Sequence, residues 1–197
     1  MAAPKPSPRK HRNNPDLPVR KLGVRNRIAA LLVASALLLG AAGLPRKAGD
    51  FAIQTGPEKY TWLSQYQGKT LLVAFILTYC QHCQKTTGIL NAIQKDYAAK
   101  GVQVLGSAIE DMASLHLGDF DKQFHPAFPV GYDDRRYLMK FLDLPVDDNL
   151  MMPALVFIDK NGMIRTIVQG DDPVFTGDQD KNLRQILEKT IAEGNRK

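Results

Sequence analysis

Apolar runs of strand length recur along the chain after residue 69. They occupy residues 70–78, 102–109 and 154–158, and the continuous run at 70–78 indicates a central strand buried on both faces of a covered sheet. The third run passes through Asp159-Lys-Asn-Gly162 into residues 163–168, which predicts a hairpin with an Asn-Gly turn. Residues 128–132 predict one further short strand.

Apolar residues at helical spacing separate these runs. They predict helices over residues 81–99, 112–125, 134–142 and 178–193. Strands and helices that alternate and then give way to a hairpin and a last helix predict an α/β sandwich with strands of mixed direction. Residues 46–69 predict irregular or short helical structure, with Gly56-Pro57 as a turn.

The N-terminal part has the pattern of an export signal. Residues 28–45 contain no charged residue, and the residues 1–27 before them are basic and rich in proline. A basic leader followed by an apolar run predicts a disordered cytoplasmic leader, a transmembrane anchor or signal segment, and a domain over residues 46–197 outside the cytoplasm. Small residues at Ala41-Ala42-Gly43 allow cleavage, so a membrane-anchored chain and a secreted periplasmic one both remain open.

The charge of the chain is unevenly distributed along its sequence. The whole chain carries +6, but residues 1–27 hold eight basic residues and one acid, which leaves −1 for the remainder. A nearly neutral domain lacks the basic surface that nucleic-acid binding requires. We therefore expect no nucleic-acid partner, and the leader's charge describes membrane topology.

The only two cysteines, Cys80 and Cys83, lie where the first buried strand gives way to a helix. Residues three apart in a first helical turn share a face, so a disulfide can join them. Free backbone N–H groups at a helix N-terminus favour a thiolate. We expect Cys80 to be the exposed nucleophile, Cys83 to be the less exposed resolving thiol, and a cationic His82 to favour the Cys80 thiolate.

The pair of cysteines has three other interpretations. Half of a zinc site needs four ligands, and a structural disulfide closing so short a loop stabilises little. A copper relay would use the two soft sulfurs with His116 or His125. A redox dithiol without cofactor or bound metal is the preferred interpretation.

These features together resemble the thioredoxin-fold superfamily, and within it the exported or membrane-anchored thiol-disulfide oxidoreductases of the TlpA and redoxin type. The matching pieces run over about residues 46–195. They are Gly68-Lys69 before the first strand, Cys80-Gln-His-Cys83, Glu110-Asp111 after the second strand, and Met152-Pro153 before the hairpin. The resemblance implies a three-layer α/β/α sandwich, a cis Met152–Pro153 peptide facing the dithiol, and substrate pairing at that loop.

Several positions depart from the pattern of the relatives. Tyr79 replaces the usual tryptophan, and His82 replaces a proline. The acids that relatives place six residues before the first cysteine or three after the second are here Ala74 and Thr86. Glu110 is the nearest spare candidate for proton transfer, although a strand-end acid is expected to be solvated.

The resemblance thus implies a thiol-disulfide oxidoreductase that reduces or exchanges disulfides in exported proteins, tethered to the membrane through its N-terminal helix. The redox partner and the direction of electron flow are left open. A thiol peroxidase of the redoxin class is the enzymatic alternative, in which Cys80 would attack a peroxide. A copper-relay protein is the non-enzymatic one.

Overall fold

The computed structural model describes residues 43–196. The predicted leader, residues 1–27, and all but the last three residues of the predicted anchor, residues 28–45, lie outside the described residues. Within 43–196 no helix combines the length and the apolarity needed to cross a membrane.

Strands of two to seven residues make up the sheet. Their bounds are β1 Arg46–Lys47, β2 Ala52–Gly56, β3 Lys59–Trp62, β4 Thr70–Ile76, β5 Val102–Ala108, β6 Val130–Tyr132, β7 Ala154–Ile158 and β8 Met163–Val168. Four α-helices accompany them, α1 Gln81–Tyr97, α2 Ala113–Phe124, α3 Arg135–Leu142 and α4 Gln179–Asn195. Short 3₁₀ segments follow β3, α1 and β8.

The described strands form one mixed sheet in the order β1-β8-β7-β4-β5-β6-β2-β3. Strand β4 is central, and it runs parallel to β5 and antiparallel to β7. All seven residues of β4 are buried, as a strand with both faces covered requires. The sequence prediction of a mixed central sheet is confirmed.

Two apolar clusters cover the opposite faces of the sheet. Leu72, Ala74 and Ile76 of β4 belong to the cluster that contains residues of α1 and α4. Leu71, Val73 and Phe75 alternate with them and belong to the cluster that contains residues of α3. The arrangement is the predicted sandwich of helices around a sheet, with the Cys80–Cys83 turn at the C-terminal end of its central strand.

The prediction for residues 46–69 is wrong. We expected irregular or short helical structure, but the segment contains β1 and the β2–β3 hairpin before a 3₁₀ turn at Leu63–Tyr66. In β2 only Ile53 is fully buried, and β3 at the end of the sheet has no buried residue. Such strands lack a continuous apolar run, which is why the pattern did not reveal them.

Candidate functional site

The two cysteines occupy the start of α1. Cys80 has extended backbone angles and is the N-cap residue, and its Sγ accepts a hydrogen bond from the Cys83 N–H at 3.4 Å. Both thiols are free in this structure. An N-cap sulfur receives the unpaired N–H groups of the first turn, which is the environment that favours a thiolate.

Burial distinguishes the two sulfurs. Cys80 is partly exposed, whereas Cys83 has no exposed surface. Burial raises the pKa of the Cys83 thiol, and so do its hydrogen bond with Cys80 and the nearby Glu110 carboxylate. The expected difference in exposure between the two cysteines is therefore confirmed.

Glu110 is held against the turn that leads to Cys80. The backbone N–H of Thr78 donates to Glu110 Oε1 at 3.0 Å, and the Thr78 hydroxyl donates to the same oxygen. The second carboxylate oxygen, Oε2, is buried and has no hydrogen-bond partner among the described residues. The expectation of a solvated strand end is wrong, because parallel pairing of β4 and β5 brings the two strand ends together.

Gln84 closes the same turn from the helix side. Its Nε2 donates to the carbonyl of Thr78 at 2.9 Å, and the Cys80 N–H donates to the carbonyl of Leu77 at 3.1 Å. Four hydrogen bonds thus fix the backbone of the turn that leads to Cys80. Neither Thr78 nor Gln84 carries a signal in the sequence that marks this role.

Thr86, where many relatives carry an acid, is fully buried and neutral. Its Oγ1 donates to the His82 carbonyl at 2.8 Å and accepts from Gln179 Nε2 at 2.7 Å. Gln179 begins α4, so this pair connects the second turn of α1 to the first turn of α4. Thr86 therefore cannot accept a proton as the carboxylate of relatives can. Glu110 is the carboxylate whose charge acts on the buried Cys83 thiol.

The loop before β7 lies beside the turn that leads to the dithiol. Its Met152–Pro153 peptide is cis, as the resemblance implied. Ala154 of β7 pairs with Phe75 of β4 in antiparallel register, so Pro153 stands next to the turn that leads to Cys80. Met152 is partly buried and packs against both apolar clusters.

Gly170, two residues after the end of β8, packs against the backbone of this loop. A Cβ added at Gly170 would collide with the backbone carbonyl of Met152, and the Gly170 N–H donates to the Met151 carbonyl at 3.0 Å. The sequence carried no signal for this role, because Gly170 lies 17 residues after Pro153.

Replacing Gly170 by alanine is expected to displace the Met152 backbone. The collision should lower the free energy of unfolding by about 1–3 kcal/mol, and a misplaced loop should slow disulfide reduction about tenfold or more. Alkylation of Cys80 by iodoacetamide should keep its rate. Gly118→Ala on α2 is the control, since beyond the local backbone of its own helix no atom lies within 4 Å of its added Cβ. Equal kinetics in the two variants would contradict a positioning role for Gly170.

Tyr79 and His82 both lie on the exposed side of the site. The Tyr79 side chain is 69% exposed, and His82 is exposed in the first turn of α1. Neither forms a hydrogen bond through its side chain among the described residues. The two side chains are therefore free to face a partner that approaches Cys80.

The candidate copper ligand His125 is remote from the sulfurs. Asn91 Nδ2 donates to the His125 carbonyl at 3.2 Å. Asn91 lies eight residues after Cys83 on α1, which is about 12 Å along the helix axis. Over residues 43–196 no three His, Cys, Asp or Glu side chains are grouped so as to hold a metal ion.

Comparisons with known proteins agree with this geometry. Residues 44–187 match the Redoxin family. A thiol-disulfide oxidoreductase ResA of Bacillus thuringiensis is 23% identical over 162 residues, covering 75% of this chain and 90% of the relative. One of Oceanobacillus iheyensis is 28% identical over 108 residues, covering 55% and 53%.

Solved structures share the fold. A thiol:disulfide interchange protein of the thioredoxin family from Chlorobium tepidum is 19% identical with a TM-score of 0.62, covering 76% of this chain and 99% of that one. The exposed lipoprotein thioredoxin Etrx1 of Streptococcus pneumoniae is 20% identical with a TM-score of 0.57, covering 72% and 99%. The chain described here has the thioredoxin fold, a pair of thiols at the start of α1 and a match to the family over residues 44–187. It therefore belongs to the Redoxin family, as a redoxin-type oxidoreductase.

Proposed function

We propose that the chain reduces or exchanges disulfides in exported proteins through Cys80 and Cys83. The main support for the proposal is the difference in exposure between the two sulfurs. Cys80 is reachable and accepts the Cys83 N–H, while Cys83 is buried one turn behind it. A substrate sulfur can therefore meet only Cys80, and Cys83 can react only with a disulfide that Cys80 has formed.

The reaction proceeds by two exchanges. The Cys80 thiolate attacks one sulfur of a substrate disulfide, forming a mixed disulfide and releasing the other substrate sulfur as a thiolate. Cys83 loses its proton and attacks Cys80 Sγ, which releases the second substrate thiolate. Two electrons pass to the substrate, and Cys80–Cys83 becomes a disulfide. An external dithiol returns the pair to its reduced form, and the reverse sequence oxidises a substrate.

The loop of Met152 and Pro153 is the proposed substrate-binding element. The backbone N–H and C=O of Met152 form no hydrogen bond among the described residues, so an extended chain lying across Cys80 can pair with them as an added strand. The exposed ring of Tyr79 flanks the same position and offers an apolar surface to the substrate.

Glu110 is the proposed proton acceptor for Cys83. Its Oε1 is occupied by Thr78, whereas its buried Oε2 is without a partner, and its charge contributes to the raised pKa of Cys83. A carboxylate with one free oxygen next to a buried thiol can take the proton directly or through one water. It replaces the acids that relatives carry at the positions of Ala74 and Thr86.

The N-terminal segments complete the proposal. A basic leader at residues 1–27 and an apolar segment at residues 28–45 support a single membrane anchor with the domain on the periplasmic side, or a secreted domain after cleavage. Disulfide exchange suits such an oxidising compartment. A fusion of alkaline phosphatase after residue 197 should be active, and an inactive fusion would place the domain in the cytoplasm.

Reduction of insulin tests the function directly. The full-length chain with dithiothreitol should precipitate insulin B chains well before dithiothreitol alone does. Hydrogen peroxide should oxidise Cys80 no faster than it oxidises a free thiol. Fast peroxide oxidation without insulin reduction would favour the peroxidase alternative instead.

His82→Pro is expected to make the pair more reducing by about 10–30 mV. A cationic His82 favours the Cys80 thiolate and so the reduced form, and its removal withdraws that stabilisation. His82→Gln is the matched variant, because it removes the charge but keeps the backbone N–H. Potentials measured against glutathione should fall in both variants. A fall in His82→Pro alone would assign the effect to the lost N–H, and an unchanged potential in both would exclude His82.

A further inference from the structure

A cavity of about 670 Å³ lies on the face of the sheet opposite α1. Five of its lining residues are aromatic, namely Phe51, Tyr60, Trp62, Tyr137 and Phe141. Its volume falls in the range of about 300–1,000 Å³ that small-molecule sites occupy. Neither cysteine lines it, so the dithiol chemistry does not account for it.

The aromatic walls are exposed to solvent although they surround a concave site. The exposed fractions are 48% for Tyr60, 43% for Trp62 and 60% for Tyr137. Tyr60 and Trp62 alternate along β3 and so share one face of the strand. Large apolar side chains gathered at one exposed place mark a binding surface more often than chance exposure does.

The back of the cavity is firmly built. The Phe51 and Phe141 rings are buried with centroids 5.1 Å apart. Arg46 Nη2 donates to the Phe141 carbonyl at 2.6 Å, which fixes the guanidinium at the cavity and leaves its other N–H groups available. The site is therefore anchored to the apolar cluster on this face of the sheet.

The charged groups that line the cavity are unequal in what they still offer. Over residues 43–196 neither Arg46 nor Lys140 forms an ion pair. Asp50 accepts from the Phe51 N–H, the Ser64 N–H and the Ser64 hydroxyl, which uses both of its oxygens. Asp133 accepts from the Asp134 N–H and keeps one oxygen open, and burial raises its pKa. Open donors thus exceed open acceptors.

We propose that this cavity binds a small planar aromatic anion. The ring would stack on Tyr60, Trp62 and Tyr137, and the carboxylate or sulfonate would meet Arg46 and Lys140. A guanidinium held at one N–H presents its remaining donors to an anion in a fixed direction, and an ammonium adds a mobile point charge.

Calorimetric titration of the full-length chain in detergent with 2-naphthoate tests the proposal, with titration into detergent alone as the blank. The account expects one molecule bound per chain, at least tenfold more tightly than 2-naphthylmethylammonium or cyclohexanecarboxylate. The first control keeps the ring and reverses the charge, and the second keeps the charge and removes the ring. Trp62 is the only tryptophan of the chain, so its fluorescence should change with the same affinity.

Variants locate the site. Lys140→Met should weaken 2-naphthoate several-fold and should not weaken the ammonium compound, while Tyr137→Ala should weaken both naphthalene ligands. Lys181→Met, at an exposed lysine of α4, is the matched control and should change nothing. Equal affinity for the two naphthalene ligands, an unchanged affinity in Lys140→Met, or no binding at millimolar 2-naphthoate would each overturn the proposal.

Discussion

Replacement of Cys83 by serine is expected to turn a transient mixed disulfide into a stable covalent complex. Cys80 remains able to attack a substrate disulfide, but the buried group behind it can no longer displace the product. The complex should be resolved by mass spectrometry under non-reducing conditions, with a disulfide-containing peptide of known mass attached to Cys80. Insulin reduction should fall to the rate of dithiothreitol alone.

Replacement of Cys80 by serine should abolish both outcomes. Cys83 has no exposed surface, so a substrate disulfide cannot reach it in the folded chain. The comparison is informative because the two variants each lack one sulfur and differ only in which one. Equal amounts of trapped peptide in the two variants would contradict the assignment of Cys80 as nucleophile.

Glu110→Gln should slow the resolving step about a hundredfold near neutral pH, within the usual effect of losing a positioned base. Glutamine keeps the oxygen that accepts from Thr78 but cannot take a proton from Cys83. Its neutrality also withdraws a charge that raises the pKa of Cys83. Hydroxide can then remove the proton more easily, so the deficit should shrink as pH rises.

The measurement is the decay of a preformed Cys80 mixed disulfide, followed by stopped flow across pH. Asp111→Asn is the control, since Asp111 is the exposed neighbour of Glu110 and its loss removes the same charge nearby. Thr78→Val removes one donor to Glu110 and tests whether the contact matters only for stability. A pH profile unchanged in Glu110→Gln would exclude proton transfer by this residue.

The sequence predicted the elements that are buried on both faces. β4 and β7 carry apolar runs and are buried throughout, and the bounds of the β7–β8 hairpin agree with the pattern to the residue. The β2–β3 hairpin was missed because its residues are mostly half-exposed. A strand at the end of a sheet leaves no apolar period along the chain.

The site was predictable where its residues are neighbours in sequence. Cys80, His82 and Cys83 belong to one helical turn, and their spacing suggested a dithiol. The bonds from Thr78 to Glu110 and from Gln179 to Thr86 join residues 32 and 93 positions apart. Only the strand and helix pairing brings them together, so the burial of Glu110 Oε2 could not be inferred from the position of Glu110 at a strand end.

Redox titration of the full-length chain against glutathione tests whether Cys80 and Cys83 form a redox dithiol. The account predicts that both thiols disappear together in one two-electron transition, leaving a Cys80–Cys83 disulfide, and that this transition is absent in each single serine variant. Two separate one-thiol transitions, or cysteines that stay free under oxidising glutathione, would contradict a redox dithiol at the start of α1.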